Sequence, residues 1–319
     1  MSTSDLSGRR VLVTGGSGFI GRHVVSELTA DGAQVRVVDL QPHQDASVDI
    51  VIGNIADPAV LERAFDGGMD SIVHLAAVTS VLRSLEQPEL TFQTNVAGTH
   101  ALLEAGRAAG VSSLAFASTN AVTGPMEAPT ISEASRLRPL TPYGSTKAAG
   151  EMLMSAYTAS YGLRCAYIRL TNVYGPGMQA KDSIVARLMR AIRLGGTFEI
   201  YGDGNQVRDY VHALDVVAAM RLALIDEQWA GPVVIGSGTS LSVHAVVDAV
   251  RVVSGSDIPV RHGPAKPGEM PAVIVDPGRA HSLGWSPRYP ALADGLIGVW
   301  EEWSVADVQA PAPAGGAAA

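Results

Sequence analysis

Residues 10–30 constrain the fold of this chain more than any other stretch. Arg10-Val-Leu-Val-Thr14 is a short apolar, β-branched run. It breaks into Gly15-Gly-Ser-Gly18-Phe19-Ile20-Gly21, after which residues 22–30 have helical character. Strand, glycine turn and helix in that order make a cradle for a diphosphate: glycines let backbone amides approach closely, and the helix turns its positive end towards the anion. Glycine-rich turns are common, so the second strand matters. Residues 34–38 read as a strand that ends in Asp39, about twenty residues after the loop, where a carboxylate can accept both hydroxyls of an adenosine ribose. Asp39 would repel a 2′-phosphate, and Leu40-Gln-Pro-His-Gln44 offers no arginine to receive one. The dinucleotide predicted is therefore NAD rather than NADP.

The pattern then repeats. Residues 48–52 read as a strand running into Asn54 and Ile55, 58–65 as a helix opened by Pro58, 71–75 as a strand leading to Ala76 and Ala77, 91–109 as one long helix, and 113–117 as a further strand. This alternation predicts an α/β fold, a doubly wound parallel (Rossmann) sheet whose ligands bind beyond the carboxyl ends of its strands. Gly15, Asp39, Leu75, Ala76, Ser118 and Thr119 all fall at such ends. After Gly175-Pro-Gly177 the pattern changes, and a smaller lobe is expected. The division read from the chain is 1–171 with about 214–236 for the dinucleotide domain, 172–213 with about 237–306 for the lobe, and 307–319, rich in Pro, Ala and Gly, as a disordered tail.

Composition narrows the function class. A net charge of -8 with no basic run argues against a nucleic-acid partner. No apolar run is long enough to span a membrane, no leader is evident at residues 1–10, and the only cysteine, Cys165, suits a reducing cytoplasm. The eight histidines are scattered without metal-ligand spacing.

Tyr143-Gly-Ser-Thr-Lys147 carries the chemistry if it opens a helix, since phenol and ammonium then lie one turn apart on one face. A phenol titrates near 10, so use as a base near neutrality asks for a shift of about three units, roughly 4 kcal/mol, part of which the lysine could supply. A surface helix pair is the plainer reading of the same spacing. His74, inside an apolar run, reads as packed with a satisfied imidazole rather than catalytic. Asn95 reads either as a mid-helix amide facing the site or as a solvated one, and Arg208 either as a phosphate ligand or as the ion-pair partner of Asp209.

The segments Thr14-Gly-Gly-Ser-Gly-Phe-Ile-Gly21, His74-Leu-Ala-Ala77, Asn95-Val-Ala-Gly-Thr99, Ser118-Thr119, Pro142-Tyr-Gly-Ser-Thr-Lys147, Arg169-Leu-Thr-Asn172-Val-Tyr-Gly-Pro-Gly177 and the run from Tyr201 to Asp215 occur in this order. In them the chain resembles the extended short-chain dehydrogenase/reductase superfamily, the NAD-dependent nucleotide-sugar epimerases and dehydratases, over nearly its whole length. The resemblance implies that Tyr143 exchanges a proton with a sugar hydroxyl, that Lys147 holds the nicotinamide ribose and lowers the tyrosine pKa, and that Thr119 bonds the same sugar oxygen. It places Gly15, Gly18, Phe19, Ile20, Gly21, Asp39, Asn54, Ile55, Leu75, Ala76, Ala77, Asn95 and Ser118 around NAD. It places Ser80, Asn172, Tyr201, Arg208, Lys266 and Glu269 around the nucleotide sugar. Lys266 stands where relatives often carry arginine, and a lysine meets phosphate as a point charge rather than a fork. A homodimer through helices near 95–108 and 145–160 is likewise implied.

Within this resemblance the reaction is read from what is missing. Related 4,6-dehydratases carry Asp and Glu directly after the position of Thr119, and UDP-glucuronate decarboxylases tend to keep that glutamate. Here the positions are Asn120 and Ala121. The expectation is a 4-epimerase acting through a transient 4-keto sugar, most like the enzymes of UDP-hexoses such as UDP-glucose and UDP-galactose. An epimerase of UDP-glucuronate or an N-acetylhexosamine, a 4-keto-sugar reductase, and a non-catalytic dinucleotide sensor are the alternatives. Segments 80–87 and 178–182 are expected to shape sugar choice; the second lacks the arginine of some uronate epimerases, which points to a neutral hexose. Thr123 stands where the family usually has tyrosine.

Overall fold

In the computed structural model, which describes residues 6–265 and 272–305, the predicted alternation becomes a parallel sheet. Its first six strands are Arg10–Thr14 (β1), Gln34–Asp39 (β2), Asp49–Ile52 (β3), Ser71–His74 (β4), Ser113–Thr119 (β5) and Arg164–Leu170 (β6). Asn172–Tyr174 (β7), Phe198–Tyr201 (β8) and Val207–His212 (β9) leave the sheet before Gly231–Ile235 (β10) returns to it. The seven strands lie in the order β10-β6-β5-β4-β1-β2-β3 and every pairing is parallel. Strands buried on both faces need continuous apolar runs rather than alternation, which is why Val11, Leu12 and Val13 are all inaccessible.

Helices Phe19–Ala30 (α1), Pro58–Phe65 (α2), Val81–Glu86 (α3), Pro88–Phe92 (α4), Gly98–Ala108 (α5) and Pro142–Tyr161 (α6) link the first six strands. Ile184–Arg193 (α7), Ala213–Ile225 (α8), Val243–Ser254 (α9), Gly278–Ser282 (α10) and Leu292–Val305 (α11) follow, with the short strands Ser240–Ser242 (β11) and Val260–Gly263 (β12). One face of the sheet packs Val24, Leu28, Val216 and Met220 from α1 and α8. The other packs Leu61, Leu102, Leu103 and Met154 from α2, α5 and α6. At roughly 1.5–3 kcal/mol for each large apolar side chain removed from water, these two layers dominate the fold's stability.

A third core of Met178, Leu188, Phe198, Val246, Leu296 and Trp303 lies between α7, α9 and α11. It is flanked by the three-stranded sheet β11-β9-β7 and the pair β12-β8. Phe19, the first residue of α1, belongs to this third core. The helix that begins at the glycine loop is therefore anchored at its start in this third core.

Two local expectations change. The single helix expected over 91–109 starts at Pro88 and contains a π-helical stretch, Gln93–Ala97, between α4 and α5. Asn95 lies at the centre of that stretch, where its buried side chain turns inwards and bonds neighbouring segments rather than water. Helix α3 has no counterpart among the elements expected from sequence, because Val81, Leu82 and Leu85 face solvent and give no inward apolar stripe. The tail 307–319 lies outside the described residues.

Candidate active site

The cofactor end is built by close approach. Gly15 has φ +73°, and a Cβ there would sit 2.7 Å from the Ala76 amide nitrogen; a Cβ on Gly21 would run into the Gly15 carbonyl. Only glycine lets the loop fold against β4 and the first turn of α1. The Gly18 amide donates to the Gly15 carbonyl at 3.2 Å, closing the turn. Phe19 and Ile20 follow, on the side of the third core. Asp39, at the carboxyl end of β2, accepts the Ser17 amide at 3.0 Å and the Gln41 amide at 3.1 Å, so its carboxylate is fixed over the glycine loop. These residues fit a dinucleotide: a cradle closed to any side chain, a helix start and a ribose-facing acid.

Leu75, Ala76 and Ala77 continue from β4 along this edge and are partly exposed. Asn54 is exposed and its amide oxygen accepts the Ala56 amide at 2.9 Å, while Ile55 is buried beneath the start of α5. Asn95 is a bracket. Its oxygen accepts the Val78 amide at 2.8 Å, and its nitrogen donates to the Val78 carbonyl and the Thr146 hydroxyl at 3.0 Å each. That ties the strand-end segment after Ala77 to α6.

Helix α6 forms where the sequence places it. Thr141 caps it by accepting the Gly144 amide at 3.1 Å, Pro142 occupies the first turn, and Gly162 ends it at φ +72°. The phenol of Tyr143 lies near the Thr119 hydroxyl at the carboxyl end of β5, which donates to the Asn120 amide oxygen at 3.3 Å and accepts the Ala121 amide at 3.2 Å. Tyr143 keeps some surface open to the cleft, yet the protein crowded around it pushes its phenol up to about 12, with the Thr119 hydroxyl opposing that rise. Lys147 is almost inaccessible. Its ammonium donates to the Ala117 carbonyl at 2.8 Å and lies 4.6 Å from the centre of the Phe116 ring, and burial pushes it down to about 7. The spacing of the two residues suggests that Lys147 lowers the tyrosine pKa. In the protein itself desolvation governs both groups, and the opposing influence on Tyr143 is Thr119.

His74 is buried and fully bonded, as the packing reading expected. Thr99 donates to the Asn95 carbonyl at 2.7 Å, so at the 2.8 Å contact it must accept from Nε2–H of His74. Nδ1 then accepts from the Thr14 hydroxyl at 2.7 Å. This neutral tautomer agrees with an imidazole pushed down to about 3 by burial and by the nearby Lys147 charge.

Ser118, expected at the cofactor, gives its hydroxyl to Glu151 of α6 at 2.5 Å. Glu151 and Arg169 form a buried ion pair at 2.8 Å, and Arg169 also donates to the carbonyls of Ser132 and Glu133. Sequence reading missed this pair because its members lie on different elements. Thr123 is explained locally: its hydroxyl donates to the Asn120 carbonyl at 2.9 Å, closing the turn after Thr119.

Of the residues expected around the nucleotide sugar, Ser80 is exposed and caps α3 by accepting the Arg83 amide at 3.2 Å. Asn172 is exposed on β7 and donates to the Asp209 carbonyl at 2.9 Å. Tyr201 and Arg208 are half-buried on β8 and β9, with the Arg187 guanidinium 5.4 Å from the Tyr201 ring. The Asp209 carboxylate accepts from Thr171 at 3.0 Å and from the Ser237 amide and hydroxyl at 2.9 Å each, deep in the interior. Lys266 and Glu269 lie outside the described residues. Among the described residues no cluster of three or more metal-ligating side chains occurs, and no helix is long and apolar enough to cross a membrane.

A dinucleotide cradle, a buried tyrosine–lysine turn and a second lobe above them define a Rossmann-fold enzyme of the extended short-chain type. The model of the NAD dependent epimerase/dehydratase family matches residues 11–236, and this chain belongs to that family. It is 33% identical to the UDP-glucose 4-epimerase of Halalkalibacterium halodurans, over 91% of this chain and 94% of that one. Among solved structures it is similar to the UDP-glucose 4-epimerase of Thermus thermophilus in complex with NAD, with a TM-score of 0.87 and 35% identity over 93% of this chain and 99% of that one. It is also similar to MoeE5 in complex with UDP-glucuronic acid and NAD, with a TM-score of 0.84 and 35% identity over 92% of this chain and 98% of that one.

Proposed function

We propose that this chain is an NAD-dependent 4-epimerase of a UDP-sugar, interconverting UDP-glucose and UDP-galactose. The observation that carries the reading is the neighbouring hydroxyls of Thr119 and Tyr143 with no carboxylate beside them among the described residues. Asn120 and Ala121 follow Thr119, and the nearby Glu151 is locked to Arg169. One proton exchanger suffices for a reaction that removes and later returns the same hydroxyl proton. As the phenolate, Tyr143 takes that proton from the sugar 4-hydroxyl to become the phenol and then gives it back, while Thr119, able both to donate and to accept, bonds the oxygen as alcohol and as ketone. Bound NAD would supply the hydride acceptor for C4 and the donor for its return to the opposite face. Gly15, Gly18, Gly21 and Asp39 would hold it, with Lys147 at its ribose, and Asn172, Tyr201 and Arg208 would hold the nucleoside diphosphate.

Replacing Tyr143 by Phe lowers turnover by about 10²–10⁴-fold, the usual worth of a positioned acid/base, with NAD still bound. Product NMR over a panel of UDP- and dTDP-sugars, with cofactor content measured on the same samples, reads both. Near-normal turnover by that variant would sink the mechanism. Strict dependence on added NADH or NADPH would replace it with a reductase.

A uronate epimerase is the second reading, and Lys181 favours it. This lysine lies in segment 178–182, its ammonium 5.7 Å from the Phe19 ring centre and lowered in pKa by burial, with no ion pair to a carboxylate among the described residues. A faster reaction with UDP-glucuronate than with UDP-glucose would decide for it. We further propose the division into dinucleotide domain and lobe read from the sequence. We place the protein in the cytoplasm as a homodimer through α5 and α6, a pairing supported by exposed Met152 and Tyr161 on α6 and checked by analytical ultracentrifugation.

A further inference from the structure

A helix start leaves backbone amides without partners inside the helix, and the way α6 satisfies its own points beyond its cap. Pro142 has no amide hydrogen. The Gly144 amide goes to the Thr141 hydroxyl at 3.1 Å, and the Ser145 amide to the Thr141 carbonyl at 2.9 Å. The amide of Tyr143 is left, and it donates at 3.2 Å to the hydroxyl of Ser84, a residue distant in sequence on α3. Ser84 in turn donates to the Val81 carbonyl at 2.6 Å, which fixes its hydroxyl hydrogen and turns a lone pair towards Tyr143.

Helix α3 is built the wrong way round for packing. Its apolar residues Val81, Leu82 and Leu85 are exposed, by 39%, 57% and 57%, whereas Ser84 is completely buried. A helix that docks through its serine instead of its leucines is held by that hydrogen bond and by the small size of the side chain. The carbonyl of Tyr143 is held as well, accepting from the Thr146 hydroxyl at 2.8 Å, itself bonded by Asn95. Both peptide groups around the tyrosine are thus fixed by side chains.

We propose that Ser84 is a positioning residue for Tyr143, setting the backbone from which the phenol reaches the Thr119 hydroxyl. The inference rests on the reading of Tyr143 as the proton exchanger. A reacting group misplaced by about 1 Å can lose on the order of 10²-fold in rate, so loss of this bond acts on turnover before it acts on binding.

The test uses the NAD-loaded enzyme with the Ser84→Ala, Ser84→Thr and Tyr143→Phe variants, assayed for kcat, KM, bound NAD and the pH dependence of kcat. Ser84→Ala is expected to lower kcat by about tenfold to a hundredfold with KM within about twofold and NAD retained. Its acid limb moves to higher pH, because a displaced phenol loses part of the influence by which the nearby Thr119 hydroxyl opposes the rise caused by burial. Ser84→Thr, which keeps the hydroxyl, recovers most of the loss. Unchanged kcat and pH profile in Ser84→Ala, even with a lowered melting temperature, would overturn the proposal and leave Ser84 a packing residue. If Ser84→Ala does not fold, Ser84→Cys, of similar size with a weaker acceptor, takes its place under the same criteria. Tyr143→Phe separates the two readings: normal turnover there removes the acid/base itself, whereas an inactive Tyr143→Phe beside a normal Ser84→Ala removes only the role of Ser84.

Discussion

Helix α6 carries two buried charged side chains, one turn apart and treated in opposite ways. Glu151 is fully compensated: Arg169 donates to both of its oxygens and Ser118 adds a third bond. Lys147 meets one carbonyl and an aromatic face, and the nearby imidazole, His74, is held neutral by burial and by the lysine's charge. Desolvation is the same problem for both. At Glu151 the fold solves it with an opposite charge, while at Lys147 it leaves a large part of the cost standing, as the fall to about 7 shows. The first arrangement maintains architecture. The second leaves a buried amine without an opposite charge among the described residues, an arrangement typical of functional sites and consistent with the role proposed for Lys147.

Breaking the compensated network should have the largest effect on stability. Glu151→Ala strands the Arg169 guanidinium in the interior and is expected to destabilise the protein by about 3–5 kcal/mol in denaturant unfolding. A loss below about 1 kcal/mol would mean that the pair is as weak as a surface bridge and that the contrast fails. Lys147→Met should do the reverse, costing catalysis by orders of magnitude while leaving the NAD-free protein as stable as before or more so near neutrality.

The same contrast predicts a pH dependence. A lysine whose folded pKa is depressed from 10.5 to about 7 binds fewer protons folded than unfolded between those values, so stability of the NAD-free protein rises with pH there. Lys181, also lowered, adds in the same direction. Above about 9 the buried Cys165 and then the tyrosines, all raised, oppose it. The clean window is therefore about pH 7 to 9, and the expected gain is of order a few kcal/mol, read from unfolding midpoints at the two ends. A flat profile, or an equal slope in Lys147→Met, would show that Lys147 is not the desolvated cation described.

Much of this is legible in the chain, for identifiable reasons. The sheet, the glycine cradle and Asp39 rest on short-range rules: strand, turn and helix adjacent in sequence, with glycine required wherever backbone meets backbone. The turn from Tyr143 to Lys147 is local as well. Long-range partnership is not legible. Ser84 lies far from Tyr143, Glu151 meets Arg169 across two elements, and the Asn95 amide spans Val78 and Thr146 through a π-helical stretch that no periodicity announces. The direction of the tyrosine's pKa escapes sequence reading for a related reason, since spacing reveals the neighbouring lysine but not the burial that acts on both.

Thr123 gives the smallest and most local test. Its hydroxyl closes the turn after Thr119 by donating to the Asn120 carbonyl, and the residue is 4% exposed. Thr123→Ala removes one neutral hydrogen bond and should cost about 1 kcal/mol of stability. Its effect on turnover distinguishes two views of the turn. If the turn sets the Thr119 hydroxyl, whose oxygen also accepts the Ala121 amide at 3.2 Å, kcat falls by a few-fold with KM unchanged. If Thr123 matters only by ceding space that tyrosine fills in relatives, kcat holds and KM for the sugar nucleotide moves instead. Steady-state kinetics on the one variant, beside its unfolding midpoint, separates a positioning hydrogen bond from a pocket wall.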